Sequence, residues 1–124
     1  MSRILLFVYG SLLSGEPGHA LLGGSESAGS ARTAPAFDLL DLGDYPAMAR
    51  GGHTAISGEL YWIDSATRAR LDEFERHPRL YRRTRIALED GRVAQSYVLC
   101  RRTKTEDRRI EHGDWRLTRS TPRS

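Results

Sequence analysis

The chain opens with Ile4-Leu5-Leu6-Phe7-Val8-Tyr9, an unbroken apolar run closed by Gly10. A run this short fits a strand buried on both faces better than a helix, and it predicts a central strand. Beyond the next loop, Glu16 to Leu22 predicts a brief helix, with Pro17 near its first turn and Gly23 just past its end. Ser25 to Arg32 is small and polar, the pattern of a loop or a weak edge strand. Phe37 to Leu42 predicts another strand, followed by the turn cluster Gly43-Asp44-Tyr45-Pro46, whose proline holds Tyr45 extended. Thr54 to Ile63 alternates, placing Ile56, Leu60 and Trp62 on one face.

Ser65 is placed to cap a helix that runs through Phe74 and ends near His77, because Pro78 disfavours helical geometry in the residue before it. Arg82 to Glu89 and Arg92 to Cys100 flank Asp90-Gly91, a two-residue turn whose left-handed backbone suits strand twist and predicts a hairpin. Strands outnumber helices and no regular β-α-β alternation appears. The fold class that follows is α+β: a small, mixed, mostly antiparallel β-barrel or curved sheet with a few short helices. One domain is expected over residues 1–118, with 119–124 as a flexible C-terminal tail.

At 124 residues the chain can bury one hydrophobic core without a metal or disulfide staple. No apolar stretch approaches the ~18 residues of a membrane span, and the first run lacks the flanks of a signal peptide, so a cytoplasmic protein without membrane contact is expected. The single cysteine, Cys100, ends an apolar run and is expected as a small core residue. No CxxC or His/Cys cluster offers a metal site, and His19, His53, His77 and His112 stand apart, so neither metal nor cofactor is expected. The net charge of +3 is uneven: residues 101–124 hold eight Arg/Lys against four Asp/Glu. Nucleic-acid binding wants a basic face with aromatic platforms, whereas this segment interleaves its charges and carries one aromatic, Trp115; no nucleic-acid partner is expected.

Two segments can carry chemistry. Gly10 to Gly15 has the glycine spacing of a phosphate loop, but Glu16 and Pro17 stand where that motif needs Lys and Ser or Thr. The segment is therefore either a plain tight turn or a nest of successive N–H groups able to hold a carboxylate or oxyanion. A serine hydrolase would need a Gly-x-Ser-x-Gly elbow, which Gly10-Ser11-Leu12 does not supply. The second segment is Asp72-Glu73-Phe74-Glu75. At ~100° per residue Leu71 and Phe74 lie about 60° apart and define an inward stripe, while Glu75 falls about 40° from Leu71. Glu75 is thus the acid facing the interior, where burial raises a carboxyl pKa toward neutrality; the alternative is a surface helix laced with arginine partners.

Six blocks follow one another in order: Phe7-Val8-Tyr9-Gly10-Ser11-Leu12, Tyr45-Pro46-Ala47-Met48, Gly58-Glu59-Leu60-Tyr61-Trp62-Ile63-Asp64, Leu71-Asp72-Glu73-Phe74-Glu75, Tyr81-Arg82-Arg83 and Gly113-Asp114-Trp115. Together they resemble the γ-glutamylcyclotransferase-like family, in its small AIG2-like, γ-glutamylamine cyclotransferase branch, over roughly residues 3 to 116. The resemblance implies a mixed β-barrel with a cavity at one end. It also implies cyclisation of a γ-glutamyl amine or amide, with release of 5-oxoproline and a free amine or amino acid. In that family the loop after the first strand binds substrate and the Glu of the Phe-Glu pair is catalytic. Carried over, these are Tyr9, Gly10, Ser11 and Leu12, with Glu75 as general acid/base. Tyr81 is a further pocket candidate, or else a core aromatic. The partner implied is a small γ-glutamyl substrate. Many relatives have Asn where this chain has Gly18. A binding module that holds a small carboxylate without turnover is the alternative on the same fold, and glutamyl transfer to an external amine ranks behind it. The amine-side loops are expected at Ser25 to Thr33, Pro46 to His53 and the segment after Cys100.

Overall fold

The computed structural model describes residues 3–120. The strands are β1 (Ile4–Val8), β2 (Glu26–Arg32), β3 (Phe37–Asp41), β4 (Pro46–Arg50), β5 (Ser57–Ile63), β6 (Tyr81–Ala87), β7 (Val93–Leu99) and β8 (Arg108–Arg109). Helix α1 spans Ser65–Phe74, α2 spans Trp115–Ser120, and a single 3₁₀ turn covers His19–Leu22. One curled sheet runs β2-β5-β1-β7-β4-β3-β8, with β6 added on β7. Neighbours pair antiparallel except where β1 and β4 meet β7 in parallel. This is the expected α+β architecture.

Alternating side chains of the same strands feed two cores, one on each face of the sheet. Leu6, Val8, Tyr61, Ile63 and Leu99 pack on the face covered by Leu71 of α1 and Leu22 of the 3₁₀ turn. Phe7, Leu39, Met48, Leu60 and Val98 pack on the other, where the sheet curls on itself and Trp115 closes the end. Burial on both sides explains why β1 is apolar throughout rather than alternating.

The β6–β7 hairpin forms, with Ala87 opposite Val93, but its turn is one residue longer than predicted: Leu88 N–H bonds the Arg92 carbonyl at 2.8 Å across Glu89-Asp90-Gly91, with Gly91 left-handed at φ 90°. Of the loop or weak edge strand expected over Ser25 to Arg32, Glu26–Arg32 is an edge strand paired to β5. Other expectations change. The helix predicted over Glu16 to Leu22 shrinks to its last four residues. β4 falls where only a turn and a loop were predicted. Strand β5 starts at Ser57 rather than Thr54; Ile56 and Leu60 are buried as expected, but Trp62 sits at the sheet's end with Arg3 stacked 5.4 Å from its ring.

Asp64 rather than Ser65 caps α1, its carboxylate accepting from the Thr67 N–H at 2.8 Å. The helix stops at Phe74, with Glu75 as its C-cap and Arg76 in the left-handed region at φ 55°, short of the predicted end at His77. Cys100 is exposed rather than in the core, its Sγ 3.1 Å from the Pro78 carbonyl. Beyond Cys100, β8 pairs with β3, and α2 continues to Ser120, two residues into the tail expected over 119–124. The rest of that tail, 121–124, lies outside the described residues. Among the described residues no helix is long and apolar enough to cross a membrane.

Candidate active site

The site begins where two strands compete for one edge. β1 and β4 both pair with β7, Leu6 opposite Gln95 and Met48 opposite Val98. Between those positions β1 leaves the sheet and β4 enters it. Side chains stitch the split: Ser96 Oγ donates to the Phe7 carbonyl at 2.8 Å. The Tyr9 hydroxyl donates to the Tyr97 carbonyl at 2.7 Å and accepts from the Met48 N–H at 3.0 Å. Gly10 passes against the Pro46 ring so closely that a Cβ there would lie 2.6 Å from Pro46 Cγ.

The departing chain turns immediately. Leu13 N–H bonds the Gly10 carbonyl at 3.0 Å, Glu16 N–H bonds Leu13 at 2.9 Å, and Gly18 N–H bonds Ser11 at 2.8 Å. A Cβ at Gly18 would lie 2.8 Å from the Ser11 oxygen, so this residue is fixed by the loop's own packing. The N–H groups of Gly10, Ser11 and Leu12 have no protein acceptor among the described residues. From behind, Glu59 clamps the loop: its carboxylate accepts from Ser14 N–H at 2.8 Å, the Tyr61 hydroxyl at 2.9 Å and Arg116 at 2.8 Å. Burial pushes the Glu59 carboxyl up, but these three donors outweigh it and hold the pKa below the ordinary value.

A cavity of about 420 Å³ opens between this loop and the end of α1. Tyr9, Gly10, Ser11, Leu12, Glu75 and Tyr81 all line it, so the six residues singled out from the sequence converge on one hollow. Asp44, Tyr45, Phe74, Arg76 and Leu80 line it too, with Glu16 and Pro17 opposite. Of the predicted amine-side loops only Pro46 reaches it; Ser25 to Thr33 lies on the far edge of the sheet, and the segment after Cys100 lies elsewhere.

Glu75 faces inward because Thr67 and Leu71, each one helical turn apart, are the buried positions of α1. The inward stripe is therefore Thr67–Leu71–Glu75, not the predicted Leu71–Phe74: Phe74 is 48% exposed at the cavity's rim. The Glu75 carboxyl has no hydrogen-bond donor and no ion-pair partner among the described residues. Burial alone pushes its pKa up from 4.5 to about 7. Tyr81 is buried, its hydroxyl 3.4 Å from the Pro46 carbonyl, and burial together with the Glu75 charge raises its pKa. Tyr9 is raised well above its ordinary value, first by burial and then by Tyr81 and Glu75.

Asp72, placed outward by the wheel, proves central to the site's support. It accepts a bidentate pair from Arg83, at 2.9 Å from Nε and 3.2 Å from Nη2, and the Tyr97 hydroxyl at 2.7 Å. Arg83 also donates to Gln95 at 2.7 Å. Burial pushes the Asp72 carboxyl up, but Arg83 and Tyr97 outweigh it and its pKa is lowered. This network bolts the end of α1 to β6 and β7. Asp72, Glu59 and Tyr97 were missed by sequence reasoning; the first two sit inside the resembling blocks, which was the one signal available. Among the described residues no group of His, Cys, Asp or Glu is arranged to hold a metal ion.

A desolvated carboxyl without an ion-pair partner, in the same cavity as a loop whose Gly10, Ser11 and Leu12 N–H groups are free, is a setting in which a carboxylate-bearing ligand could be held and protons moved on it. The family model for "Gamma-glutamyl cyclotransferase, AIG2-like" matches residues 6–117. The chain belongs to this family. A Vibrio cholerae protein that provisionally carries the name γ-glutamylcyclotransferase is 40% identical over 111 residues, covering 90% of this chain and 94% of that protein. Bovine γ-glutamylaminecyclotransferase is 36% identical over 98 residues, covering 70% of this chain but 58% of its own length, so this family member spans little more than half of the mammalian protein. The crystal structure of a mouse AIG2-like protein superposes with TM-score 0.68 at 28% identity, over 86% of this chain and 82% of that one.

Proposed function

We propose that this chain is a γ-glutamylcyclotransferase acting on a γ-glutamyl amine or amide, releasing 5-oxoproline and the free amine, with Glu75 as its general acid/base. The observation that carries the reading is Glu75 itself: a mostly buried carboxyl without a partner, its pKa near 7, in the same cavity as the loop after β1. Family membership and the names of its relatives support the same activity.

Cyclisation needs one proton removed and one delivered. The substrate's α-ammonium gives a proton to the Glu75 carboxylate, and the freed nitrogen attacks the γ-carbonyl carbon. The tetrahedral intermediate then expels the amine, which takes that proton from the Glu75 carboxyl as the C–N bond breaks; the ring nitrogen's remaining extra proton passes through the freed carboxylate to the released amine, leaving a neutral lactam and an ammonium. One carboxyl whose pKa lies near the working pH can serve both steps. The N–H groups of Gly10, Ser11 and Leu12 would hold the α-carboxylate or the developing oxyanion, and a curled substrate brings nitrogen and carbonyl to about 3–3.5 Å, converting chain entropy into rate. Tyr9 contributes its ring to the wall, while its hydroxyl is already committed to the strand split.

The test is a mass-spectrometric assay for 5-oxoproline over γ-glutamyl amines, γ-glutamyl dipeptides and ε-linked γ-glutamyl-lysine. At least one substrate should yield product, and Glu75→Gln should lower that rate by about 10²-fold or more. Undiminished turnover in the variant removes Glu75 from the mechanism. Ligand binding without product across the whole panel favours a non-catalytic carboxylate-binding module.

A further inference from the structure

On the reverse face of the β6–β7 hairpin lies a second groove, of about 450 Å³, that the cyclisation chemistry does not use. Four arginines line it: Arg50 at the end of β4, Arg82 on β6, and Arg101 and Arg102 just beyond β7. Thr84 and Thr103 add two hydroxyls, and no acidic or aromatic side chain is among its lining. It is separate from the Glu75 cavity, because successive residues of the hairpin point opposite ways. Tyr81 and Tyr97 line the cavity, whereas Arg82 and Val98 line the groove.

Two of the four guanidinium groups are held in place. Arg50 donates to the Arg85 carbonyl at 3.0 Å and lies 5.9 Å from the Phe37 ring. Arg101 is forked onto Asp107 at 2.9 and 3.0 Å and donates to the Arg102 carbonyl at 2.9 Å. Asp107 offsets one charge. Glu106 also acts on Arg101 through its charge, but Arg50, Arg82 and Arg102 have no ion-paired acid among the described residues, so an excess of positive charge gathers around the hollow. Planar guanidinium groups with hydroxyls beside them match the oxygens of a phosphoryl group or a polycarboxylate, and a multivalent anion would relieve their mutual repulsion.

We propose that this groove is a binding site for a small, multiply charged oxyanion of the phosphate type. Its volume suits a compact ligand, and its lining offers no stacking surface for nucleic-acid bases. The arginine excess that follows Cys100 in the sequence thereby acquires a role distinct from catalysis.

Cys100, the chain's single cysteine, lines the same groove and is exposed, so its alkylation reports occupancy. The experiment titrates the intact chain with inorganic pyrophosphate by calorimetry, and in parallel follows iodoacetamide modification of Cys100. Citrate, phosphatidic-acid vesicles and a short DNA duplex are run as comparison arms. Expected are one-to-one saturation with a Kd below about 1 mM and slower alkylation in the presence of pyrophosphate. The double variant Arg82→Gln/Arg102→Gln should bind about 10-fold more weakly or worse while keeping the wild-type melting profile. Saturation absent at millimolar pyrophosphate, affinity unmoved by the double substitution, alkylation unprotected, or binding confined to vesicles or DNA each overturns the proposal.

Discussion

Asp72 and Glu75 lie one helical turn apart at the end of α1 and meet opposite fates. Asp72 is saturated by Arg83 and Tyr97 and its pKa is lowered; Glu75 has no partner and burial takes its pKa to about 7. Glu75 is the more deeply buried of the two, but Asp72 is also partly removed from water; burial raises both carboxyls and does not by itself send their pKa values in opposite directions. What separates them is whether donors were provided. The first acid is spent on holding the helix end against the hairpin, and the second is left unsatisfied at the position so fixed. Under the proposed mechanism Glu75 would have to accept and return a proton, which a strong ion pair would prevent, and the neighbour that is locked would supply the rigidity.

The largest effect expected of any single change is at Glu75, and its sign is opposite for stability and activity. A folded-state pKa raised from 4.5 to about 7 means the native state binds the proton more tightly than the unfolded chain. That contribution is fully present below about pH 4.5 and is lost as pH rises through 7. Glu75→Gln should therefore abolish most turnover yet make the protein more stable at pH 8, by up to roughly 3 kcal/mol. Denaturant titrations at pH 5 and pH 8 check this: the gain should appear at the higher pH and shrink at the lower. A gain that is the same at both would mean Glu75 is not desolvated as described.

Asp72→Asn should do the reverse. Its depressed pKa places its contribution above the unfolded value of about 3.8, so stability is lost as pH falls toward and below that range. Removing the charge leaves Arg83 partly buried and uncompensated, at a cost of about 2 kcal/mol near pH 7 for a pair this enclosed. Turnover should fall about 10-fold through misplacement of the helix end, while the pH midpoint of the remaining activity stays near 7. A midpoint that moves instead would show that Asp72 tunes Glu75 electrostatically rather than positioning it.

Gly10→Ala probes the other wall. The new methyl would meet the Pro46 ring at 2.6 Å, and both partners are backbone-fixed, so β1 and β4 must part slightly. A loss of about 1–3 kcal/mol in thermal or denaturant unfolding is expected, with kcat reduced more than stability alone accounts for, because the free N–H groups begin at this residue.

These contrasts mark where the amino-acid pattern was readable. β1 and the hairpin were legible because each rests on local signals, an unbroken apolar run and an Asp-Gly turn. Glu75 was legible because helical spacing from Leu71 is local as well. Asp72 was not: its partners Arg83 and Tyr97 lie 11 and 25 positions away and meet it only once the hairpin has packed on α1. β4 escaped notice because Pro46-Ala47-Met48-Ala49 is buried on both faces and shows neither alternation nor a bulky run. Phe74 departs from the stripe that its spacing from Leu71 predicts because the helix ends at this residue and its ring is left at the cavity's rim.

That exposed ring is the basis of the smallest effect. Phe74 stands at the rim with Tyr45 and Leu80, each 40% exposed or more, so three large apolar side chains frame the entrance through which the amine end of a bound γ-glutamyl compound would protrude. Phe74→Ala should leave stability within about 0.5 kcal/mol, since little packing is lost. For substrates with a bulky apolar amine, KM should rise about 3- to 10-fold, in keeping with partial burial of one aromatic side chain. For the smallest amides KM should hold, and kcat should hold for both. A fall in kcat that is uniform across substrates would instead place Phe74 with Asp72, as a residue that sets where the neighbouring Glu75 sits.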